Sequence, residues 1–149
     1  MSELKLNLVK ILDDLILHTG VTSSSLITED GLVIAINSQQ NEEEEEANIN
    51  FAAISASILS MAERGIEIVN ENKMLEQIKI DAGLTQNLDE DFTILITRIY
   101  TNVLLQVIFP KMTNIGLIHF ETNKSINEIK NLVKQDISED LFNEIGTLL

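Results

Sequence analysis

The sequence predicts an α+β domain built on a mostly antiparallel sheet of five strands. Apolar residues recur at helical spacing in three regions, a short turn joins two strand-like runs near residue 30, and three further strand-like runs fill residues 73–109. The predicted order is helix, two strands, helix, three strands, helix, with a further short helix at the C-terminus. At 149 residues and 44% hydrophobic content, the chain has enough material for one compact core.

The first helix and the hairpin after it are predicted from spacing and from turn residues. Helical spacing of apolar residues is seen at Leu4, Leu8, Ile11, Leu12, Leu15 and Ile16. Ser2 is a suitable N-cap, and Gly20 lies where a helix C-cap is expected. Residues 21–28 and 32–36 are typical of strands, and the turn at residues 29–31 indicates that they pair as a hairpin.

The central helix, predicted over residues 48–69, has two different faces. The apolar face predicted to pack on the core comprises Phe51, Ile54, Ile58, Met61, Ala62 and Gly65, widened by Ala52, Leu59 and Ile66. The opposite face carries the mostly small residues Ala53, Ser57, Ser60 and Arg64. Small residues permit close packing of a second helix, whereas the simpler alternative is a solvated face.

Residues 38–46 include five consecutive glutamates, from Glu42 to Glu46, and no large apolar residue. Mutual repulsion predicts a mobile acidic loop here. A calcium or magnesium site is the alternative, but hard cations need staggered oxygen ligands around a turn-forming glycine rather than an unbroken run. The last glutamates precede the central helix, where negative charge is favourable against the helix dipole.

The C-terminal half predicts three strands followed by helix. Strands are expected at residues 73–81, 92–97 and 103–109, and Pro110 ends the last one because it lacks a donor N–H. Thr113 or Asn114 can cap the long helix that follows. Its broken apolar stripe comprises Ile115, Ile118, His119, Ile126, Ile129, Leu132 and Val133. Residues 136–149 form a second, shorter amphipathic pattern, predicted as a helical extension of the domain at 1–135.

Composition excludes several classes of protein. The net charge of −14 and pI near 4.3 would repel nucleic acid and anionic membrane surfaces. Charged residues interrupt the N-terminal apolar residues, so neither a signal peptide nor direct membrane insertion is expected. The chain has no cysteine, which excludes a thiolate metal site and a disulfide framework. A cytoplasmic location fits these features.

The sequence does not predict an enzyme, a catalytic residue, a cofactor or a metal site. His18 and His119 are expected to be structural, and the adjacent acidic residues diverge rather than converge on one substrate. No phosphate-binding glycine loop, dinucleotide fingerprint or paired-histidine motif is present. Arg64 could in principle stabilise a transferred phosphoryl group on a bound GTPase, but an interface or surface arginine is the favoured interpretation.

Several runs together resemble the roadblock family of dynein light-chain and GTPase-regulator domains. The runs are Gly20-Val21, the hairpin of residues 26–35, the helical run of residues 59–64, Val103-Leu104-Leu105 leading to Pro110-Lys111, and Asn114-Ile115-Gly116-Leu117. The resemblance spans residues 4–135. The glutamate run is longer than the usual connection, and the segment after Asp136 is a further departure.

This resemblance implies a profilin-like α/β sandwich whose copies pair through their central helices and third strands. The implied dimer interface comprises Ala53, Ser57, Ser60, Arg64, Glu76 and Ile78. Family members are non-catalytic and act on small Ras-like GTPases, which implies such a GTPase as partner, with other roadblock-like proteins as further partners. Asn50, Ser57 and Arg64 are the implied GTPase contacts.

Two other functions are consistent with the sequence. A scaffold or motor-type light chain would bind another protein without any GTPase. A sensory domain would bind a small molecule, because antiparallel sheets flanked by helices also form ligand pockets. The sequence shows no set of convergent polar residues for such a pocket, so this last function has the least support.

Overall fold

The structure, a computed structural model, describes residues 2–84 and 86–135, apart from the side chain of Leu88. The helices are α1 (Glu3–Thr19), α2 (Glu42–Val69) and α3 (Ile115–Gln135), and the strands are β1 (Ser23–Thr28), β2 (Val33–Ile36), β3 (Gln77–Ala82), β4 (Phe92–Tyr100) and β5 (Val103–Pro110). A 3-10 turn, Leu88–Glu90, precedes β4. The predicted α+β class and the order of the main elements are confirmed, whereas the predicted extension at 136–149 lies outside the described residues.

The five strands form one open sheet in the order β2-β1-β5-β4-β3, and all its neighbouring strands are antiparallel. The predicted hairpin of β1 and β2 forms, and its turn contains Gly31 at φ 92°. The hairpin of β1 and β2 joins the other three strands through β1, which pairs with β5, for example Leu26 with Leu105. This topology leaves β2 and β3 as the two edges of the sheet.

Helices α1 and α3 cover one face of the sheet. The core between them includes Leu8, Leu12, Leu26, Leu105, Phe109 and Ile129, all fully buried or nearly so. The ends of these helices follow the predicted caps: Ser2 Oγ accepts from Lys5 N–H at 3.1 Å, Gly20 takes a left-handed φ of 72°, and Asn114 Oδ1 accepts from Gly116 N–H at 2.9 Å. No helix in the described ranges has the length and apolar content to cross a bilayer.

Helix α2 packs on the other face and uses polar as well as apolar residues. Its buried positions are Asn48, Ala52, Ser55, Ala56 and Leu59. Leu59 joins a cluster with apolar side chains of β1, β4 and β5. Toward its N-terminus, Ser55 Oγ donates to Gln106 Oε1 at 2.6 Å, and Ser23 Oγ donates to Asn48 Oδ1 at 3.3 Å. Hydrogen bonds therefore add to the apolar contacts of Phe51 and Ala52 under the first half of α2.

The predicted core face of α2 is wrong at three positions. Ile54 and Met61 are 54% and 73% exposed, and Gly65 is exposed as well. The helix is rotated toward its small residues because the hairpin turn lies against them: a Cβ on Gly31 would come within 2.9 Å of Ala53 Cα. Apolar periodicity alone did not show that small and polar residues would form the buried face.

The predicted acidic loop at residues 38–46 is also corrected, because its five glutamates belong to α2. Asn41 is the N-cap, and its Oδ1 accepts from Glu44 N–H at 2.8 Å. Glutamate is a good helix former, and negative charge in the first turn opposes the positive end of the helix dipole. The helix propensity of glutamate and the interaction with the helix dipole outweigh the mutual repulsion of the glutamates, on which the loop prediction depends.

The strand bounds differ from the prediction mainly around β3, which begins at Gln77 rather than at residue 73. Ahead of it, Leu75 N–H donates to Glu63 Oε1 at 3.0 Å, so a side chain of α2 takes the place of a strand partner for this backbone group. Leu75 in this segment is buried, whereas Met74 is 52% exposed. Strand β4 continues to Tyr100 because its pairing with β5 extends past a bulge.

Candidate functional site

The exposed side of α2 carries two adjacent lines of residues. Residues seven apart fall on nearly the same line of an α-helix, because seven residues are close to two turns. Asn50, Ser57 and Arg64 form the first, which we term the polar line, and all three are exposed. Ile54, Met61 and Ile68 form the second, which we term the apolar line.

The apolar line is unusually exposed for large hydrophobic side chains. Ile54, Met61 and Ile68 are 54%, 73% and 87% exposed. Val69 at the end of α2 is 87% exposed, and Met74 just beyond the helix is 52% exposed. Scattered exposed hydrophobic residues are ordinary, but a contiguous series along one flank of a helix marks a contact surface.

Strand β3 offers a free backbone edge beside this helix. The N–H of Arg98 in β4 donates to the carbonyl of Glu76 at 2.9 Å. Backbone groups alternate in direction along an antiparallel strand, so those of Gln77, Lys79 and Asp81 are turned away from β4 toward the free edge. An unpaired edge of this kind is a template for strand pairing.

Two opposite charges stand next to each other on β3. Lys79 Nζ lies 3.6 Å from Asp81 Oδ2, and both side chains are about half exposed. The hydroxyl of Thr93 donates to Asp81 at 2.6 Å. This hydrogen bond is the main cause that lowers the pKa of Asp81 below its ordinary value, and the ammonium groups of Lys79 and Lys111 act in the same direction. Asp81 is therefore ionised at neutral pH.

A buried arginine fixes the relative position of α2 and the β3 edge. The side chain of Arg98 is only 9% exposed, and its Nη2 lies 2.5 Å from Glu63 Oε1 on α2. Its Nε donates to the Leu75 carbonyl at 2.7 Å, and Nη1 donates to the Thr101 carbonyl. Glu29 in the hairpin turn is a second and more distant ion partner, with its Oε2 3.7 Å from Arg98 Nη1. One side chain thus joins β4, the segment before β3, the hairpin turn and α2.

The residues predicted for the dimer interface lie on α2, just before β3 and on β3. Ala53, Ser57, Ser60 and Arg64 are exposed on α2, Glu76 is exposed just before β3, and Ile78 is half-buried on β3. Ser60 and Arg64 line a cavity of about 450 Å³ that faces the hairpin turn and Arg98. Their role in pairing stays a prediction.

Sequence reasoning missed the apolar line and the charge pair on β3. Ile54 and Met61 had been assigned to the core, and Lys79 and Asp81 had no distinguishing pattern. The seven-residue spacing of Ile54, Met61 and Ile68 was visible in the sequence and could have indicated a second apolar flank. Across the described parts of the chain, no three acidic, histidine or cysteine side chains are grouped so that they could hold a metal ion.

Comparison with solved structures identifies the fold. A structure described as MglB with tetrameric arrangement matches 91% of this chain and 93% of its own at 14% identity, with a TM-score of 0.72. Myxococcus xanthus MglB matches 87% of this chain and 96% of its own at 18% identity and a TM-score of 0.69. A roadblock/LC7 domain from Streptomyces avermitilis matches 84% and 96% at 12% identity and a TM-score of 0.69.

By sequence, no family model and no curated protein matches the chain. The structural matches show that it has the roadblock fold, which confirms the resemblance seen in the sequence.

The Arg98 network predicts strong coupling between two charges. Arg98→Met should lower the free energy of unfolding by about 2–4 kcal/mol, because it leaves the largely buried Glu63 carboxylate without a cation, with the Leu75 N–H as its remaining partner. Adding Glu63→Gln removes that unpaired charge. The loss of unfolding free energy in the double variant should therefore be smaller, by about 1 kcal/mol or more, than the sum of the losses in the two single variants. Urea unfolding of the four proteins measures this coupling, and additive losses would contradict it.

Proposed function

We propose that the protein is a non-catalytic homodimeric interaction module that binds a small Ras-like GTPase and regulates its nucleotide cycle or its location. The roadblock fold and the MglB structures among its matches support this class of function. The observation that carries the proposal is the apolar line of α2 beside the free edge of β3. Both are surfaces that a second copy can cover at the same time.

Pairing of the α2 helices would remove the apolar line from water. Full burial of each large aliphatic side chain stabilises by about 1.5–3 kcal/mol, so three from each copy supply a substantial driving force. The neighbouring Ala53 and Ser57 are small and allow a second helix to come close. A two-fold axis brings the same residues from both copies into one contact, as a self-complementary interface requires.

Charge complementarity selects a register for pairing of the β3 strands. In a two-fold antiparallel pair centred on Ile80, Lys79 of each copy faces Asp81 of the other, which gives two favourable cross-strand pairs. Centring the pair on Lys79 would instead place two ammonium groups opposite each other. The backbone groups of Lys79 and Asp81 also point to the free edge, so the register centred on Ile80 satisfies hydrogen bonds and charges together.

The GTPase would bind on the outer side of the paired helices. With the apolar line covered by the second copy, the polar line of Asn50, Ser57 and Arg64 remains turned away from the sheet. Arg64 supplies a cation for an acidic surface, and the small Ser57 permits close approach. We assign Arg64 a binding role rather than a catalytic one, since no feature of α2 directs it to a nucleotide.

Dimerisation is tested by matched substitutions of exposed apolar residues. Met61→Glu on α2 should convert the protein to monomers, because the free energy needed to bury an unpaired carboxylate between two helices exceeds the stabilisation that the apolar contact provides. Leu17→Glu on α1 changes a residue of similar exposure, 78% against 73%, outside the proposed interface and should leave the dimer intact. Sedimentation equilibrium distinguishes these results, and equal masses for the two variants would count against this interface.

GTPase binding is tested with the small Ras-like GTPases of the source organism, each loaded with GDP or with a non-hydrolysable GTP analogue. Calorimetry should show binding that differs between the two states, and Arg64→Glu should weaken it by about threefold to tenfold through charge reversal. Lys10→Glu, an exposed charge reversal on α1, is the control and should change the affinity little. Absence of binding in both states for every GTPase would reject this function and favour a scaffold or light-chain role.

A further inference from the structure

Strand β2, the second edge of the sheet, lacks the protection that edge strands usually carry. Its four residues, Val33–Ile36, include no charge and no proline, whereas the edge strand β3 carries Lys79 and Asp81. Uncharged apolar edges attract further strands unless something covers them.

The backbone of β2 is available over a short length only. Asn37 N–H donates to a β1 carbonyl at 3.1 Å, so alternation turns the backbone groups of Ile36 to the free side. A shift in register leaves Ile34 without a paired residue in β1. Beyond them, Ser38 N–H donates to Asp13 Oδ1 at 2.8 Å, which closes that end. The bulge and the closed end favour a short added segment over continued sheet growth.

A groove runs along this edge between α1 and the start of α2. Its volume is about 520 Å³, and β2 lines it together with residues of both helices. Leu6 on α1 and Ile49 on α2 both line it and are 55% and 52% exposed. A groove with a backbone edge and apolar walls suits an extended peptide, whose alternate side chains enter pockets while its main chain pairs.

The groove lining itself carries one acidic residue, Glu45, and its excess of negative charge comes from the helix turns to which Glu45 belongs. Those turns hold the five glutamates of residues 42–46, all of them exposed. Lys5 is the one cation among the described residues that line the groove. Gln40, also in the lining, has a buried Oε1 with no hydrogen-bond partner in the described structure.

We propose that the β2 edge binds an extended segment of a partner protein as a sixth strand, and that this segment carries apolar residues at alternate positions flanked by lysine or arginine. The backbone edge supplies pairing, the groove walls accept the apolar side chains, and the glutamates of α2 attract the flanking cations. This site lies at the opposite edge of the sheet from the proposed dimer contact and does not require a GTPase.

Charge argues against two other occupants. The C-terminal segment of this chain, residues 136–149, has four acidic residues and no lysine or arginine, so the α2 glutamates would repel it. A second copy docked at this edge brings its own run of five glutamates and would be repelled likewise. A basic segment of another protein is the occupant that the charges favour.

The test uses the full-length protein and a displayed library of twelve-residue peptides, each with two basic residues at both ends and eight randomised positions. Selected peptides should bind with alternating apolar residues, and they should shift the amide NMR signals of Ile34 and Ile36. N-methylation of alternate peptide residues should weaken binding about tenfold by removing a main-chain hydrogen bond, whereas methylation of the intervening residues should change it less than about twofold.

A matched pair of charge reversals on α2 completes the test. Glu45→Lys, within the groove, should weaken the selected peptides by about threefold or more, and Glu67→Lys, near the other end of the same helix, should leave their affinity unchanged. Thermal unfolding of both variants confirms that they are folded.

The proposal is overturned if the library yields no binder, if the shifted amides lie away from β2, or if all N-methyl positions have equal effects. Unchanged affinity of the selected peptides for Glu45→Lys would also overturn it.

Discussion

The two unpaired edges of an open sheet are the constraint on which the rest of this molecule depends. The topology places β1, β5 and β4 inside the sheet and leaves β2 and β3 with backbone groups that only solvent or another chain can satisfy. The edges differ in their chemistry: β3 carries a pair of opposite charges beside an exposed apolar helix flank, whereas β2 is uncharged and lines a groove that reaches the glutamate-rich start of α2. Different edges therefore suit different partners.

Helix α2 connects these two surfaces. On the side that faces the sheet, Ser55 and Asn48 make hydrogen bonds next to the apolar contacts of Ala52 and Leu59. This arrangement leaves large aliphatic residues on the outside, which is unfavourable for an isolated chain and favourable for one that pairs. At the far end, Arg98 and Glu63 hold the helix against the segment before β3, which fixes the position of the helix relative to that segment.

The sequence was sufficient for the elements that depend on local signals. Helix α1 with its caps, the hairpin and α3 were all predicted, because cap residues, turn glycine and apolar spacing act over a few residues. The buried face of α2 was predicted only in part, since its exact rotation depends on the long-range approach of Gly31 to Ala53. The same limit applies to the candidate site: exposure of Ile54 and Met61 follows from that rotation, and the direction of the β3 backbone follows from pairing with β4.

The central claim, that two copies join edge to edge through β3, is tested most directly by a single introduced cysteine. The natural chain has none, so Ile80→Cys places the only thiol at the proposed two-fold axis. Facing residues of a non-hydrogen-bonded antiparallel pair lie about 4.5 Å apart at Cα, within reach of a disulfide. Mild oxidation should give a covalent dimer of twice the 16.7 kDa chain mass, seen on a non-reducing gel. If Ile80→Cys cross-links no better than Leu17→Cys on α1, the claim is contradicted.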